Sequence, residues 1–147
     1  MKVIVDIDGT VSLVGDRLKY LDQDPKDWDS FYEACGEDAP NWQIIYLVGV
    51  LMNNGYDIVF VTGRRESVRH QTVIWLQKYF LKTFFPDKLL MRPDGDIRHD
   101  VLVKPELLDL AGIKRPDVAF ILEDRSSMVS QWRALGFTCL QVADGDF

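Results

Sequence analysis

Two aspartates separated by one residue, Asp6 and Asp8, are the first residues whose type and spacing could support catalysis. They follow an apolar, β-branched run and precede Gly9 and Thr10. One carboxylate can attack phosphorus as a nucleophile while a second moves protons. Two carboxylates this close repel each other unless a cation or a shared proton relieves them. The pair indicates either a reactive, cation-binding site or a polar surface turn that ends a strand.

Three apolar segments of the sequence end in polar clusters, and each segment has the pattern of a buried parallel strand. The clusters are Asp6 to Thr10, Thr62-Gly63-Arg64 and Glu123-Asp124-Arg125. Parallel strands bring such clusters to one edge of a sheet, which is where open α/β sheets place their sites. Together with Lys104, the clusters suit transfer of a phosphoryl group to a carboxylate. A hydroxyl group and the lysine would hold phosphoryl oxygens, and Mg²⁺ would offset the repulsion between the attacking carboxylate and the phosphate.

The elements that must position these residues alternate along the chain. We predict strands over 3–5, 56–61, 89–91, 118–122 and 137–142, and helices over 40–52, 68–80, 100–111 and 128–135. The stretch 11–26 is predicted to be an irregular excursion or small hairpin above the first strand. An aromatic group, Trp28, Phe31 and Tyr32, predicts a short helix on the core or a platform that stacks a nucleobase. The order predicts one α/β domain over 1–147, with a parallel sheet covered on both faces and 11–40 as a flap or small cap.

The composition is that of an ordinary globular protein, with 47% hydrophobic and 27% charged residues in 147. A net charge of −6 argues against a broad basic face for nucleic acid but allows a local basic pocket for one phosphate. No apolar run is long enough for a membrane span, and no signal peptide precedes the first strand. Cys35 and Cys139 are too few and too far apart for a disulfide framework. We therefore expect a cytoplasmic protein, in the host cytoplasm if it is viral.

The motifs resemble those of the haloacid dehalogenase (HAD) superfamily. The first motif of the superfamily, Asp-x-Asp-Gly-Thr, matches residues 6–10, and its second, a strand ending in Ser or Thr, matches the strand that ends at Thr62. Its third motif is a lysine, matched by Lys104, and its fourth is an acidic pair, matched by Glu123-Asp124. A closer resemblance, over nearly the whole chain, is to the 3′-phosphatase half of phage-type polynucleotide kinases. That half has Gly-Arg after the second motif and ends in Gln-Val-Ala-x-Gly-Asp-Phe, here 141–147. The resemblance implies a Rossmann-like, three-layer α/β/α fold with a central parallel sheet and a minimal cap.

The resemblance also implies a role for each matching residue. Asp6 would be the nucleophile and Asp8 the general acid and base, with Thr62 and Lys104 holding the phosphoryl group. The residues implied in substrate binding are Thr10, Arg17, Gly63, Arg64, Arg92, Arg98 and Asp100. The implied Mg²⁺ ligands are Asp6, Asp8 through its backbone carbonyl, Glu123 and Asp124. The fourth motif is Glu-Asp where the family has Asp-Asp, and we favour Asp124 as the direct ligand.

Other polar residues receive simpler interpretations. Lys114 is a second lysine that could serve the third motif, but it precedes its strand at the end away from the predicted site. His70 and His99 lack metal-ligand spacing and are read as surface residues, with His99 near the site beside Asp100. Replacing Arg64 by alanine is expected to weaken substrate binding more than folding.

The function expected from these residues is a Mg²⁺-dependent phosphomonoesterase that removes 3′-phosphates from DNA or RNA ends through an aspartyl-phosphate. One alternative is a 5′- or 3′-nucleotidase for free nucleotides, which the acidic net charge favours. Another is a non-catalytic protein that binds phosphorylated ends. This alternative is disfavoured because every catalytic position of the family is filled. A GxxxxGK[ST] loop is absent from the sequence, so we expect a phosphatase without a kinase half. The apolar residues between Trp42 and Met52 are compatible with the interface of a homo-oligomer.

Overall fold

The computed structural model describes residues 1–80 and 84–145. The strands are β1 (Lys2–Val5), β2 (Ser12–Leu13), β3 (Ala39–Pro40), β4 (Asp57–Arg65), β5 (Leu89–Arg92), β6 (Val118–Arg125) and β7 (Cys139–Gly145). The α-helices are α1 (Trp28–Glu33), α2 (Trp42–Asn53), α3 (Arg69–Phe80), α4 (Asp100–Leu110) and α5 (Ser126–Ala134). Short 3₁₀ helices cover Gly15–Tyr20, Ala34–Glu37, Glu66–Val68, Pro86–Lys88 and Arg115–Asp117.

Five strands form one parallel sheet in the order β5-β4-β1-β6-β7. Side chains alternate between its faces, so β1 buries Val3 and Val5 on one face and Ile4 on the other. The first face packs on α2 and α3 through residues such as Ile45, and the second packs on α4 and α5 through residues such as Trp132. The predicted three-layer α/β/α architecture is confirmed.

The segment between β1 and α2 differs from its predicted form. No small hairpin forms within 11–26; instead β2 pairs antiparallel with β3, so that Ser12 lies opposite Pro40. This two-stranded neck joins the two ends of the segment, and α1 lies within it, as the aromatic spacing predicted. The predicted helix over 40–52 begins later, at Trp42. Pro40 belongs to β3, where its missing N–H is harmless at the edge of a two-stranded pair.

The remaining boundaries differ by a few residues. The last strand runs to Gly145 rather than ending at 142, and β4 and β6 continue through their polar clusters. The end of the carboxyl-terminal motif, 146–147, lies outside the described residues. Within residues 1–80 and 84–145, we find no helix with the length and apolarity that a bilayer span requires.

Candidate active site

The site is an acidic cluster with one buried lysine at the carboxyl edge of the sheet. Asp6 follows β1, while Glu123 and Asp124 lie near the carboxyl end of β6, and all three are buried. Lys104, from α4, donates hydrogen bonds from Nζ to Asp6 Oδ1 at 2.7 Å and to Glu123 Oε2 at 2.8 Å. Burial alone would lower the pKa of Lys104, but Asp6 and Glu123 outweigh it and raise that pKa, so the lysine stays charged.

A tight turn directly after β1 shapes the pocket. The carbonyl oxygen of Ile7 accepts hydrogen bonds from the N–H groups of Thr10 and Ser12, at 3.1 and 3.0 Å. Gly9 has φ +87°, and a Cβ atom at this position would overlap the carboxylate of Asp124. Glycine is therefore required here both by the backbone angle and by the space.

The hydroxyl of Thr10 links the two sides of the cluster. It lies 3.2 Å from Asp6 Oδ2 and 3.4 Å from Asp124 Oδ1, close enough to donate to either carboxylate. Thr62 is also buried, and its Oγ1 accepts a hydrogen bond from the backbone N–H of Arg64 at 3.1 Å. The structure thus brings the residues expected at the phosphoryl group to one pocket, which Asp6, Thr62 and Lys104 line together.

The acidic cluster fits a divalent cation. Carboxylate oxygens of Asp6, Glu123 and Asp124 lie within 4.8 Å of one another. Burial, followed by repulsion from Glu123, raises the pKa of Asp6 well above its usual range, and the same two causes raise that of Asp124 to about 6. Buried carboxylates that repel each other in this way need a cation to remain ionised together, and oxygen ligands suit Mg²⁺.

Asp8 has different surroundings, because its carboxylate is held by two arginines. Arg64 donates to Asp8 Oδ1 from Nε at 3.0 Å and from Nη2 at 2.6 Å, and Arg17 donates from Nη2 at 2.7 Å. Burial acts to raise the pKa of Asp8, but the two guanidinium groups outweigh it and hold that pKa far below its usual range. Asp8 is therefore a carboxylate in this structure.

Asp38, which the sequence analysis missed, completes this arrangement. Its carboxylate is buried and accepts hydrogen bonds from Ser12 at 2.5 Å, from Arg17 at 2.7 and 2.6 Å, and from Arg64 at 3.1 Å. The backbone carbonyl of Asp38 also accepts a hydrogen bond from Trp75 Nε1 at 2.8 Å. In sequence, Asp38 lies in an ordinary polar stretch before β3, and no local pattern distinguishes it from a solvated loop residue.

The arginines expected to bind substrate are placed unequally. Arg17 and Arg64 are buried against Asp8 and Asp38, so they position carboxylates in this structure, and their contact with substrate stays a prediction. Arg98 is half exposed and pairs with Asp96 and Glu106. Arg92 is buried and donates to the carbonyls of Gly63, Asp96 and Arg98, as well as to Asp100.

Asp100 is fixed between two arginines at the start of α4. Arg92 donates to its Oδ1 and Arg125 to its Oδ2, the latter at 2.9 Å. A Cβ atom on Gly63 would lie 2.5 Å from Asp100 Oδ1, so the glycine allows this carboxylate to approach β4. Arg125, which the sequence motif included without assigning it a role, is therefore a further residue of the site.

The polar residues that were interpreted as peripheral are exposed. Lys114 Nζ pairs with Asp109 at 3.2 Å, away from the acidic cluster. His70 is exposed, and His99 is exposed beside Asp100, where its Nδ1 accepts the N–H of Val101 at 3.2 Å and caps α4. Lys104, rather than Lys114, is the lysine that reaches the predicted nucleophile.

Comparison with known proteins agrees with this arrangement. The family model for the polynucleotide kinase PNKP phosphatase domain, a HAD-type domain, matches residues 1–147. The chain belongs to this family. As a PNKP-type phosphatase domain it is a phosphatase, which confirms the expectation of an enzyme and of the HAD superfamily.

Relatives of the PNKP-type domain have been described in sequence and in structure. A protein of Autographa californica nuclear polyhedrosis virus named "Putative bifunctional polynucleotide kinase/RNA ligase" is 32% identical over 135 residues, covering 90% of this chain and 18% of its own. A chain in a Pnkp1/Rnl/Hen1 complex is also 32% identical, with a TM-score of 0.82, covering 99% of this chain and 47% of its own. The class C acid phosphatase from Bacillus anthracis, 15% identical with a TM-score of 0.63, covers 86% of this chain and 52% of its own, and shares the fold.

The coverage of these relatives is unequal. The PNKP-type domain spans less than a fifth of the viral relative and about half of the chain in the Pnkp1/Rnl/Hen1 complex. The viral relative is named for a polynucleotide kinase and an RNA ligase, and a second structure of the Pnkp1/Rnl/Hen1 complex is described as an RNA repair complex.

Proposed function

We propose that this PNKP-type domain removes the 3′-phosphate from polynucleotide ends, through a phosphorylated Asp6 and with Mg²⁺. The observation that carries the proposal is the surroundings of Asp6, whose carboxylate lies between Lys104 and Thr10 and beside Glu123 and Asp124. Such a carboxylate has donors for phosphoryl oxygens on one side and a cation-binding cluster on the other. The names of the relatives support a polynucleotide end as the substrate, and the repair complex favours RNA.

In the first half-reaction, an oxygen of Asp6 attacks phosphorus, and the bond between phosphorus and the 3′-oxygen of the end breaks. Asp8 delivers a proton to the departing 3′-oxygen, which leaves as a hydroxyl. Lys104 holds the charge on the phosphoryl oxygens as the aspartyl-phosphate forms. Because Arg17 and Arg64 keep resting Asp8 ionised, its proton must be taken up before this step.

In the second half-reaction, Asp8 accepts a proton from water, whose oxygen attacks the phosphorus of the aspartyl-phosphate. The bond between phosphorus and the Asp6 oxygen breaks, and inorganic phosphate leaves with Asp6 as a carboxylate again. The ionised state of Asp8 in this structure is the state that this step requires. The two arginines orient that base as well as holding its charge.

Asp6, Asp124 and Glu123 would hold Mg²⁺, together with the backbone carbonyl of Asp8. The ion would neutralise charge between the attacking carboxylate and the phosphate, which otherwise repel each other. Lys104 Nζ lies 2.8 Å from one oxygen of Glu123, whereas the nearest hydroxyl contact of Asp124, from Thr10, is 3.4 Å long. Asp124 is therefore better placed than Glu123 to bind the ion directly.

The experiment that tests this function is phosphate release from matched substrates, with Mg²⁺ and with EDTA. The substrates are a 3′-phosphorylated oligonucleotide as RNA and as DNA, the same oligonucleotides with a 5′-phosphate, and free 3′- and 5′-mononucleotides. We expect Mg²⁺-dependent release mainly from the 3′-phosphorylated oligonucleotides. A preference for free nucleotides would replace the proposal with the nucleotidase alternative, and release from none of them would replace it with a binding role.

A further inference from the structure

A second, larger cavity opens directly outside the phosphoryl pocket. The inner pocket around Asp6 has a volume of about 30 Å³, which leaves no room for a nucleoside. The outer cleft has a volume of about 340 Å³ and shares the walls Trp28, Tyr32, Asp100 and Arg125 with the inner pocket. A substrate whose phosphate enters the inner pocket must therefore extend into the outer cleft.

Aromatic rings form one wall of the outer cleft. Trp28 and Tyr32 are stacked, with ring centroids 6.0 Å apart and an angle of 24° between the planes. Trp28 also packs edge-on against Phe31, which fixes the orientation of its ring. It nevertheless remains 37% exposed, so part of the indole faces solvent in the cleft. Ile97, on the loop before α4, lines the same cleft and is 92% exposed.

The charge of the outer cleft is opposite to that of the chain as a whole. Its walls include five basic residues, Lys26, Arg65, Arg92, Arg98 and Arg125, against two acidic residues, Asp96 and Asp100. Several of these arginines are paired with carboxylates, but Lys26 makes no ion pair with any residue in the described ranges. Its Nζ lies 5.8 Å from the centre of the Trp28 ring. The cleft thus places a cation without a carboxylate partner in the described ranges beside an aromatic surface.

We propose that the outer cleft binds the terminal nucleoside of a single strand, with its nucleobase stacked on Trp28 and the next phosphate near Lys26. The inference rests on the proposed function and adds where the end is held. An aromatic wall combined with basic side chains is the usual means of binding single strands, and it accepts any base because every base has a π-face. Trp28 is therefore a substrate-positioning residue that favours nucleotide ends over other phosphate esters.

The test compares three substrates: a 3′-phosphorylated oligonucleotide, the same oligonucleotide with an abasic terminal sugar, and glycerol 2-phosphate. For Trp28→Ala we expect the ratio of kcat/KM between the first two substrates to fall about 10- to 100-fold. Trp28→Phe should restore most of that ratio, because phenylalanine keeps an aromatic face. Trp42→Ala is the matched control, since Trp42 is 62% exposed on α2 and belongs to neither cavity.

A second variant separates base binding from folding. Ile97 is almost fully exposed, so Ile97→Ser should leave the unfolding temperature unchanged and still lower the ratio, by about two- to fivefold. Equal losses on the base-bearing and abasic oligonucleotides in both variants would overturn the proposed stacking. If the unchanged protein hydrolyses glycerol 2-phosphate but neither oligonucleotide, the proposed function itself fails, and that result is distinct from a failure of the stacking.

Discussion

The guanidinium of Arg64 donates two hydrogen bonds to a single oxygen of Asp8, at 3.0 and 2.6 Å, while Arg64 is itself fully buried. This contact connects the second polar cluster of the sheet to the first. It also changes the expectation that Arg64→Ala would affect binding more than folding, because the substitution leaves the part-buried Asp8 and the buried Asp38 with one arginine between them.

We expect Arg64→Ala to lower the free energy of unfolding by about 3–5 kcal/mol, the usual cost of removing one partner from a buried ion pair. Arg64→Lys should recover part of the stability but not the two-pronged contact with Asp8. The control is Arg65→Ala, whose surface pair with Asp29 should contribute less than about 1 kcal/mol. Urea unfolding measures each value, and a loss no larger than that of the control would contradict the buried pairing.

Replacing the proposed nucleophile should separate activity from structure. We expect Asp6→Asn to lower kcat by at least about a thousandfold, because the amide cannot attack phosphorus. Far-ultraviolet circular dichroism should be unchanged, since asparagine has the same shape and Lys104 keeps Glu123 as a partner. Asp22→Asn is the control, because Asp22 is exposed and lines neither cavity. Residual Mg²⁺-dependent turnover close to that of the control would exclude Asp6 as the nucleophile.

The two acids of β6 should respond differently to substitution. Asp124→Asn is expected to raise the Mg²⁺ concentration for half-maximal activity at least about tenfold, since even outer partners of a metal site have effects of that size. Glu123→Gln should have a smaller effect, because Lys104 already holds that side chain. Mg²⁺ titrations of activity and of the unfolding temperature give the two constants. The reverse order would assign direct ligation to Glu123.

An acidic-pH effect on stability is expected at the opposite edge of the sheet. Burial acts to raise the pKa of Asp57, but hydrogen bonds from Lys2 and Lys88, at 2.8 and 3.1 Å, outweigh it and lower that pKa from 3.8. A lowered pKa in the folded state stabilises the protein at a pH above the unfolded value, and the contribution is lost as the pH falls through the folded value.

The corresponding variant is Asp57→Asn. Because Asp57 is more than a third exposed, we expect it to lose less than about 1 kcal/mol of stability at pH 7. The difference from the unchanged protein should shrink below about pH 4 and vanish in stronger acid. Urea unfolding at pH 7 and pH 3 provides the comparison. A difference that stays constant across this range would show that the carboxylate charge is not responsible.

The turn after β1 offers a test of steric fit. We expect Gly9→Ala to cost about 1–2 kcal/mol for the left-handed backbone angle alone, and to displace Asp124 as well. Mg²⁺ affinity should therefore fall together with stability. Gly15→Ala, where nothing lies within 4 Å of an added Cβ, should change neither quantity. A functional Gly9→Ala protein with unchanged Mg²⁺ affinity would contradict the close approach of Asp124.

The sequence was a good guide to the parts of the fold that depend on periodic burial. Continuous apolar runs predicted every strand of the main sheet. The neck between β2 and β3 was not predicted, because two residues on each side carry too short a pattern to reveal which partner each pairs with.

The site residues were predictable only where a motif marks them. Asp6 and Asp124 were found from their positions at strand ends and Lys104 from the family pattern, and the structure brings the three together. Asp38 was missed because its importance comes from buried contacts with residues such as Arg17 and Arg64, which are 21 and 26 residues away in sequence. Long-range ion pairs of this kind leave no local periodicity.

The neck of β2 and β3 also bears on how such a domain can diverge. The two ends of the segment from Ser12 to Pro40 pair with each other, so this segment can be lengthened or exchanged while the main sheet keeps its register. Two positions restrict that freedom, because Arg17 donates a hydrogen bond to Asp8 and Asp38 accepts one from the same arginine. A grafted segment that preserves these two residues would change substrate preference while the arrangement around Asp8 stays the same.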